Sequence, residues 1–444
     1  MVKEKIGGKM EREGRKKMKN RIFSIGTLLL LIFAGIFIGR ITMSTPSSEA
    51  QGYEELKVFT EAFSIIKRNY VDEVKTKDLI YSAIKGMMGS LDPHSGFLTP
   101  EAYKEMQVET KGEFGGIGIQ IGIKDNALTV IAPIEDTPAF RAGIKAGDRI
   151  IKINGESTRD MSLMDAVNKM RGPKGTKVTI TIMREGWESP KDFTLIRDII
   201  HIKSVKSKVV EKGVGYIKLS HFQEQTANDL SIALRELVEK EKITSLILDL
   251  RNNPGGLLQS AVEVADQFLE PGKLVVFIKG RTGEKVEYFT EGIRPNYKLP
   301  LVVLVNHGSA SASEIVAGAL KDHRRAIILG TTTFGKGSVQ NIIPLSDGSG
   351  LRLTTAKYYT PQGISIHGEG ITPDIIVKLE AKTPDKERPV LREKDIQRHL
   401  QEKSDEVPLE TAPIEVEEKD DLQLKRAIEL LKTWEIFKRL PQAG

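Results

Sequence analysis

The chain has no cysteine among its 444 residues. This absence excludes a disulfide framework, a thiol nucleophile and any zinc site built on cysteine ligands. A His-Glu-x-x-His pair is also missing from the sequence, so we predict neither a catalytic metal nor a cofactor. The length predicts two or three folded domains, since one domain usually holds about 100 to 200 residues.

Beyond its first 21 residues the chain lacks an excess of charge of either sign. Residues 1–21 contain nine basic and three acidic side chains, and this difference equals the net charge of +6 of the whole chain. A nucleic-acid-binding face would require the basic excess to lie on a folded domain. We therefore predict no nucleic-acid partner and interpret residues 1–21 as a separate basic leader.

Long hydrophobic runs are scarce, and the one that exists follows this leader. Residues 22–39 carry no charge over 18 positions, and about 20 apolar residues span a bilayer as a helix. A cleaved signal peptide is the alternative, with Ser48-Glu49-Ala50 as its nearest cleavage-like pattern. We favour a single transmembrane anchor with the leader in the cytoplasm. This predicts a bacterial inner-membrane protein whose folded part, from Ile41 onward, lies in the periplasm or outside the cell.

The remaining sequence changes its periodicity several times. Apolar residues first recur at steps of three and four, which predicts helices, and then alternate at period two between glycines, which predicts a small β domain. Apolar strands alternating with helices follow, which predicts a largely parallel sheet covered on both faces. The resulting division is an N-terminal helical region (53–110), a β domain (111–190), an α/β core (200–379), a charged linker (380–420) and a terminal helix (421–440).

A serine-rich motif, Gly-Ser-Ala-Ser-Ala-Ser-Glu at 308–314, lies between a predicted strand and a helix. In a parallel sheet this junction is the carboxyl edge, where ligands bind. Ser311 and Glu314 also match a capping box, which starts helices without any catalytic role. Both interpretations hold together, because unpaired N–H groups at a helix N-terminus can also stabilise an oxyanion.

A second motif, Thr-Phe-Gly-Lys-Gly-Ser-Val-Gln at 333–340, precedes a strand. Strand spacing places Lys336, Ser338 and Gln340 on one side. Buried, such a lysine could lose its proton and act as a base, whereas exposed it is an ordinary turn residue. A nucleotide-binding P-loop is excluded, because Gly337 stands where that motif needs serine or threonine and no helix follows.

The glycine turn Asn-Asn-Pro-Gly-Gly at 252–256 ends another predicted strand at the same sheet edge. Its N–H groups could stabilise an oxyanion, or it could be a plain turn. Histidines give little support to a Ser-His-Asp triad. His307 precedes Ser311 by only four residues, His323 falls at the far end of the following helix, and His94 fits a turn hydrogen bond.

Together and in order, these motifs resemble the carboxyl-terminal processing proteases, also called tail-specific proteases. The resemblance extends over residues 53–379 and the terminal helix. It implies Ser311 as nucleophile, Lys336 as base and Gln340 as the residue that orients the lysine. It also implies that the N–H groups of Gly256 and Ala312 form the oxyanion hole.

The same resemblance identifies the β domain as a PDZ domain. Its carboxylate-binding loop would comprise Gly116, Ile117, Gly118 and Ile119, and a substrate tail would add a strand to the sheet edge. The resemblance further implies an α/β core of the crotonase/Clp-protease type and a homodimer formed through the terminal helices. An adaptor in the cell envelope would be a possible further partner.

The sequence therefore predicts a serine endopeptidase that recognises proteins by a free, apolar C-terminal tail and cleaves them near that end. Two alternatives stay open. One is a catalytically silent PDZ scaffold of the cell envelope. The other is a Ser–His hydrolase that uses His307.

Overall fold

The computed structural model describes residues 48–378, 392–395 and 420–438. The chain divides into two compact units, with the boundary between residues 83 and 84. The N-terminal part begins with α1 (Ser48–Asn69) and α2 (Thr76–Gly89). Helix α1 starts before residue 53, and its apolar side chains Leu56, Phe59 and Ile66 are exposed.

The predicted membrane location is corrected by the described helices. Within residues 48–378, 392–395 and 420–438, no helix is both long and apolar enough to cross a bilayer. Helix α1 has 22 residues, but charged side chains such as Glu54, Lys57 and Glu61 interrupt it. The prediction of a single-pass inner-membrane protein with a periplasmic catalytic part is wrong on this finding. Residues 22–39, on which it rested, lie outside the described residues.

A short strand and a capped helix lead into the smaller β domain. The hydroxyl of Thr99 accepts a hydrogen bond from the N–H of Ala102, and Gly112 ends the helix in the left-handed conformation. These elements are β1 (Gly96–Leu98) and α3 (Pro100–Lys111), followed by β2 (Glu113–Gly116), β3 (Ile119–Lys124), β4 (Ala127–Pro133), α4 (Pro138–Arg141), β5 (Arg149–Ile153), β6 (Glu156–Ser157), α5 (Leu163–Met170), β7 (Lys177–Met183), β8 (Lys191–Ile196) and β9 (Asp198–His201).

The β domain is an antiparallel sheet with its own hydrophobic core. Its strand order is β3-β4-β5-β7-β8, and β2 pairs separately with β9. Along β7, Val178, Ile180 and Ile182 are buried while their neighbours are more exposed, as period-two alternation predicts. Because β3 is an edge strand, its outer side is available for pairing with another chain.

The larger domain alternates strands with helices, as the apolar runs predict. One six-stranded sheet has the order β10-β11-β12-β15-β16-β19, and every pair from β11 to β19 is parallel. A second, antiparallel sheet contains β1, β18, β13 and β14, with β17 paired to β18. The elements are β10 (Val205–Glu211), β11 (Val214–Leu219), α6 (Thr226–Arg235), β12 (Ser245–Asp249), α7 (Leu258–Asp266), β13 (Leu274–Gly280), β14 (Lys285–Phe289), β15 (Leu301–Val305), α8 (Ala312–Asp322), β16 (Ile327–Gly330), β17 (Ser338–Pro344), β18 (Gly350–Tyr359) and β19 (Ile375–Ile376).

The terminal helix α9 (Leu422–Phe437) packs on the sheet of its own chain. Leu424, Ala427 and Leu431 are buried against a cluster that includes Ile247 and Leu304 of the central strands. The helix face that we assigned to dimerisation is therefore largely occupied within the chain. Trp434, near the end of the helix, is 53% exposed.

An ion-pair network fixes the start of α9 to the end of β12. The carboxylate of Asp421 accepts a hydrogen bond from the N–H of Leu424, which caps the helix. It also accepts hydrogen bonds from both terminal nitrogens of Arg251, at 2.9 and 2.8 Å. The guanidinium of Arg251 also donates to the carboxylate of Asp249, which Tyr216 contacts through its hydroxyl. Since these charges are buried, removal of one partner would leave the others uncompensated.

The docked position of α9 predicts a stability effect for the substitution Leu431→Ala. Removing a buried leucine side chain costs about 2–5 kcal/mol, so the free energy of unfolding measured in urea should fall by that amount. Ile436→Ala on the same helix is the control, because Ile436 is 62% exposed and its loss should change stability by less than about 0.5 kcal/mol. Equal effects of the two substitutions would show that α9 does not dock on its own sheet.

Candidate functional site

Three sequence motifs meet at one edge of the parallel sheet. Strands β12, β15 and β16 are neighbours in the same direction, so the loops after them lie side by side. The loop after β12 holds the glycine turn, the loop after β15 holds the serine motif, and the loop after β16 holds the lysine. Asn252 and Asn306 link the first two loops through hydrogen bonds of 2.9 and 2.8 Å.

Ser311 stands directly before α8 in a strained backbone conformation. Its φ of 53° and ψ of −112° fall outside the regions that residues other than glycine usually occupy. Ser311 and Glu314 form the capping box that the sequence predicts, in which the hydroxyl oxygen accepts and the hydroxyl proton is not used. Such strain is typical of functional positions that the surrounding structure holds in place.

The neighbouring serines have structural contacts instead. The Ser309 hydroxyl is fully buried and donates to the carbonyl of Leu250 at 2.8 Å. Ser313 is also fully buried and donates to the carbonyl of Asn253 at 2.9 Å. Of the three serines in the motif, Ser311 is the one that is not buried.

A buried carboxylate joins the serine loop to the lysine loop. Glu314 is fully buried and accepts the N–H of Ser311 at 2.9 Å. Its carboxylate also accepts the N–H groups of Gly335 at 2.7 Å and Lys336 at 2.9 Å, and the hydroxyl of Thr333. Burial raises the pKa of Glu314 to about 7, against these hydrogen bonds, which lower it. One side chain thus fixes the backbones of both candidate catalytic residues.

Lys336 lies in the loop before β17, since that strand begins at Ser338. Burial lowers the pKa of the Lys336 amine, and the positive charge of Arg352 lowers it further, while Glu393 and Glu314 raise it. The lowered pKa favours the neutral form that a general base requires. The sequence had left open whether this lysine is exposed or buried, and the structure makes it half-buried.

Gln340 lies on β17, next to a bulge in its pairing with β18. Its amide nitrogen donates to the hydroxyls of Thr354 at 2.8 Å and Ser338 at 3.3 Å. Its amide oxygen is buried and has no hydrogen-bond partner among the described residues. Among the described residues, no hydrogen bond joins Ser311 to Lys336 or Lys336 to Gln340.

The glycine turn packs directly against the serine. A Cβ atom on Gly255 would come within 2.8 Å of the Cβ of Ser311, and Gly255 has a φ of +104°, so only glycine fits there. Gly256 is exposed beside it, with a φ of +142°. Ala312 is the first residue of α8, so its N–H has no partner within the helix.

His307 has no hydrogen bond to Ser311 among the described residues, and burial lowers the pKa of its imidazole. His323 binds the carbonyl of Leu274, and His94 contacts Glu393. His323 and His94 are therefore engaged with other groups, whereas His307, like Lys336, makes no hydrogen bond to Ser311 among the described residues.

The predicted tail-binding loop lies in the β domain, away from the serine motif in the chain. Residues 116–119 join β2 to β3, and Ile117 points into the core of the domain with 2% exposure. A cavity of about 70 Å³ lies between this loop and α5. Phe114 and Arg171 both line this cavity, and the Arg171 guanidinium lies over the Phe114 ring, 4.6 Å from its centre. Arg171 also forms an ion pair with Glu105 of α3.

Two features of the site were missed in the sequence. Glu314 is recognisable there only as the last residue of a capping box, and nothing reveals its contacts to the lysine loop. Glu393 falls in the predicted charged linker, but the structure buries it completely beside His94. Both depend on contacts between segments that are distant in the chain.

Patterns of three known protein families match three parts of the chain. The pattern of "Peptidase family S41" matches residues 213–377, the PDZ domain pattern matches residues 105–183, and "Activating protease CtpB N-terminal domain" matches residues 39–102.

Similar proteins cover most of the chain. A carboxy-terminal-processing protease of Bartonella bacilliformis is 44% identical, over 91% of this chain and 95% of its own length. A carboxyl-terminal-processing protease of Synechocystis sp. is 40% identical, over 79% of this chain and 86% of its own. The carboxy-terminal processing protease CtpB of Bacillus subtilis is 38% identical, over 76% and 70%. The chain therefore belongs to the carboxy-terminal processing proteases, which are serine peptidases of family S41 with a PDZ domain.

Proposed function

We propose that this protease binds proteins by a free, apolar C-terminal tail and cleaves them with a Ser311–Lys336 pair. The observation that carries the proposal is the Glu314 carboxylate, which accepts N–H groups from both residues. Their backbones are thereby held in a fixed relation, as covalent catalysis by a positioned nucleophile and base requires. The same proposal assigns residues 53–110 to a helical region, 111–190 to the PDZ domain and 200–379 to the protease core.

In the first step the Ser311 hydroxyl attacks the carbonyl carbon of the substrate, and its proton passes to the Lys336 amine. The carbonyl oxygen becomes an oxyanion, which the N–H groups of Gly256 and Ala312 stabilise. The intermediate then collapses: the C–N bond breaks, and Lys336 returns the proton to the leaving amine. An acyl-enzyme on Ser311 remains, and water releases it by the same sequence of proton transfers.

Gln340 serves to orient the lysine. Its amide nitrogen is engaged by Thr354 and Ser338, so its unpartnered oxygen is the atom left to accept a hydrogen bond from the lysine amine. An amide adds no charge, and so it does not favour the protonated lysine as a carboxylate would. Catalytic hydrogen bonds are often long before substrate binds, so the open geometry is compatible with this role.

The PDZ domain supplies the recognition of substrate. A tail would pair with the edge strand β3, and its terminal carboxylate would bind the N–H groups of the Gly116–Ile119 loop. The cavity between this loop and α5 would take the last apolar side chain. The homodimer and the envelope adaptor that the family resemblance implies remain predictions.

The nucleophile is tested by the substitution Ser311→Ala. Cleavage of a protein substrate should fall by several orders of magnitude, because removal of a serine nucleophile eliminates the covalent step. Wild-type protein quenched in acid during turnover should show an acyl group on Ser311 by mass spectrometry.

Ser309→Ala is the matched control. It removes one buried hydroxyl, which bonds the N–H of Asn306 and the carbonyl of Leu250, and should cost about 1–3 kcal/mol of stability while cleavage continues. Normal cleavage by Ser311→Ala would exclude the proposed nucleophile.

Tail recognition is tested with one peptide substrate in two forms, with a free and with an amidated C-terminus. Amidation removes the charge that accepts hydrogen bonds in the loop, and one such bond contributes about 1.5–3 kcal/mol. We therefore expect kcat/KM to fall by about tenfold or more. Acetylating the N-terminus is the control and should change little. Equal rates for the free and amidated peptides would contradict capture of the carboxylate.

A further inference from the structure

A second buried carboxylate lies near the base lysine and has no role in the mechanism above. Glu393 is fully buried, and both of its carboxylate oxygens contact Nε2 of His94, at 2.9 and 2.8 Å. The Nδ1 atom of His367 lies 3.9 Å from the same carboxylate. A buried charge is costly unless it is paired, and the two histidines lie where they can pair with this one.

The turn that carries His94 is itself fixed. The carboxylate of Asp92 accepts the N–H groups of His94 and Ser95, each at 2.8 Å. Asp92 also accepts the hydroxyl of Thr354 at 3.1 Å, and Thr354 is the residue that binds the Gln340 amide. The His94 turn is therefore connected by hydrogen bonds to the strand that carries Gln340.

The backbone around Glu393 is attached to the loop that carries the lysine. The N–H of Glu393 donates to the carbonyl of Phe334 at 3.2 Å, two residues before Lys336. Arg392 donates to the carbonyl of Glu369 at 2.7 Å. The adjacent Gly368 in turn donates its N–H to the carbonyl of Gly335 at 2.9 Å, so the segment 392–395 contacts the lysine loop directly and through residues 367–370.

The charges around Lys336 and His367 come from several elements. Burial lowers the pKa of Lys336, Arg352 lowers it further, and Glu393 and Glu314 raise it. Burial also lowers the pKa of His367, which faces Glu393 as well as Lys357, His94 and Asp92. Glu393 thus contributes a negative charge to the surroundings of the lysine from a segment far along the chain.

We propose that Glu393 is a positioning residue of this active site: its buried carboxylate couples the His94 turn to the loop that carries Lys336 and is a negative charge that this lysine faces. The catalytic part of the inference rests on the proposed function, in which Lys336 is the base. The electrostatic part does not, because the titration of the lysine can be measured without substrate.

The direct test is NMR titration of the full chain with ¹³C-labelled lysine side chains, in which the Lys336 signal is assigned by its loss in Lys336→Arg. Glu393→Gln keeps the shape of the side chain but removes its charge. The midpoint of Lys336 should therefore fall by about one pH unit, since a nearby opposite charge stabilises the ammonium form.

Asp395→Asn is the matched control, because it removes the same charge from the same segment at a residue that contacts the N–H of Arg392 instead. Its midpoint should equal that of the parent. An unchanged midpoint in Glu393→Gln would overturn the proposal, as would an equal change in the control.

Glu393→Asp covers the case in which the glutamine variant does not fold. The shorter side chain moves the carboxylate away by the length of one methylene group, so the midpoint of Lys336 in this variant should lie below that of the parent. A midpoint equal to that of the parent would overturn the proposal.

The pH dependence of kcat/KM separates this inference from the proposed function. If both hold, the rising limb of the profile moves to lower pH in Glu393→Gln together with the NMR midpoint. At a pH well below the midpoint, cleavage then increases about tenfold if the midpoint falls by one pH unit. A lowered NMR midpoint with an unmoved profile would support the role of Glu393 but exclude Lys336 as the base. A profile and a midpoint that both stay unmoved would overturn the role of Glu393 alone.

Discussion

The Glu314 carboxylate is the interaction on which the arrangement of the site depends. Ser311 lies in a strained conformation, and the lysine loop is an irregular segment before β17, so neither is held by regular secondary structure. Glu314 accepts hydrogen bonds from both, and each such bond contributes about 1.5–3 kcal/mol when the carboxylate is ionised. Its burial makes these bonds stronger and makes the loss of any donor costly. A single side chain thereby sets the separation of the proposed nucleophile and the proposed base.

The fold explains why these loops meet. Parallel strands β12, β15 and β16 end at one edge, and the glycine turn, the serine motif and the lysine loop follow them in that order. The antiparallel sheet adds β17 and β18, which carry Gln340 and Arg352, and the charge of Arg352 acts on Lys336. We assign substrate recognition to the separate β domain, which has the edge strand β3. The proposed cleavage site is therefore built from loops at the edge of a parallel sheet, whereas the proposed tail-binding site is an unpaired strand edge.

Much of this could be predicted from the sequence, because strand and helix periodicity is a local property. The small β domain and the largely parallel sheet of the larger domain form as the periodicity predicts. The contacts of Glu314 and Glu393 could not be predicted, since they join segments that are distant in sequence. The surface that covers α9 could not be predicted either, because a single sequence does not show whether a helix packs on its own sheet or on another chain. The membrane location is wrong because it rested on one apolar run, whereas no helix among the described residues is long and apolar enough to cross a bilayer.

The pH dependence of kcat/KM, measured on the full chain with a peptide that has a free C-terminus, tests the Ser–Lys pair most directly. The account predicts a rate that rises with pH around a midpoint below that of an ordinary lysine, because burial and Arg352 lower the pKa of Lys336. Lys336→Arg should be inactive at every pH, since arginine does not lose its proton, and His307→Ala should keep the parental profile. Activity in Lys336→Arg together with an inactive His307→Ala would contradict the account and identify a histidine as the base.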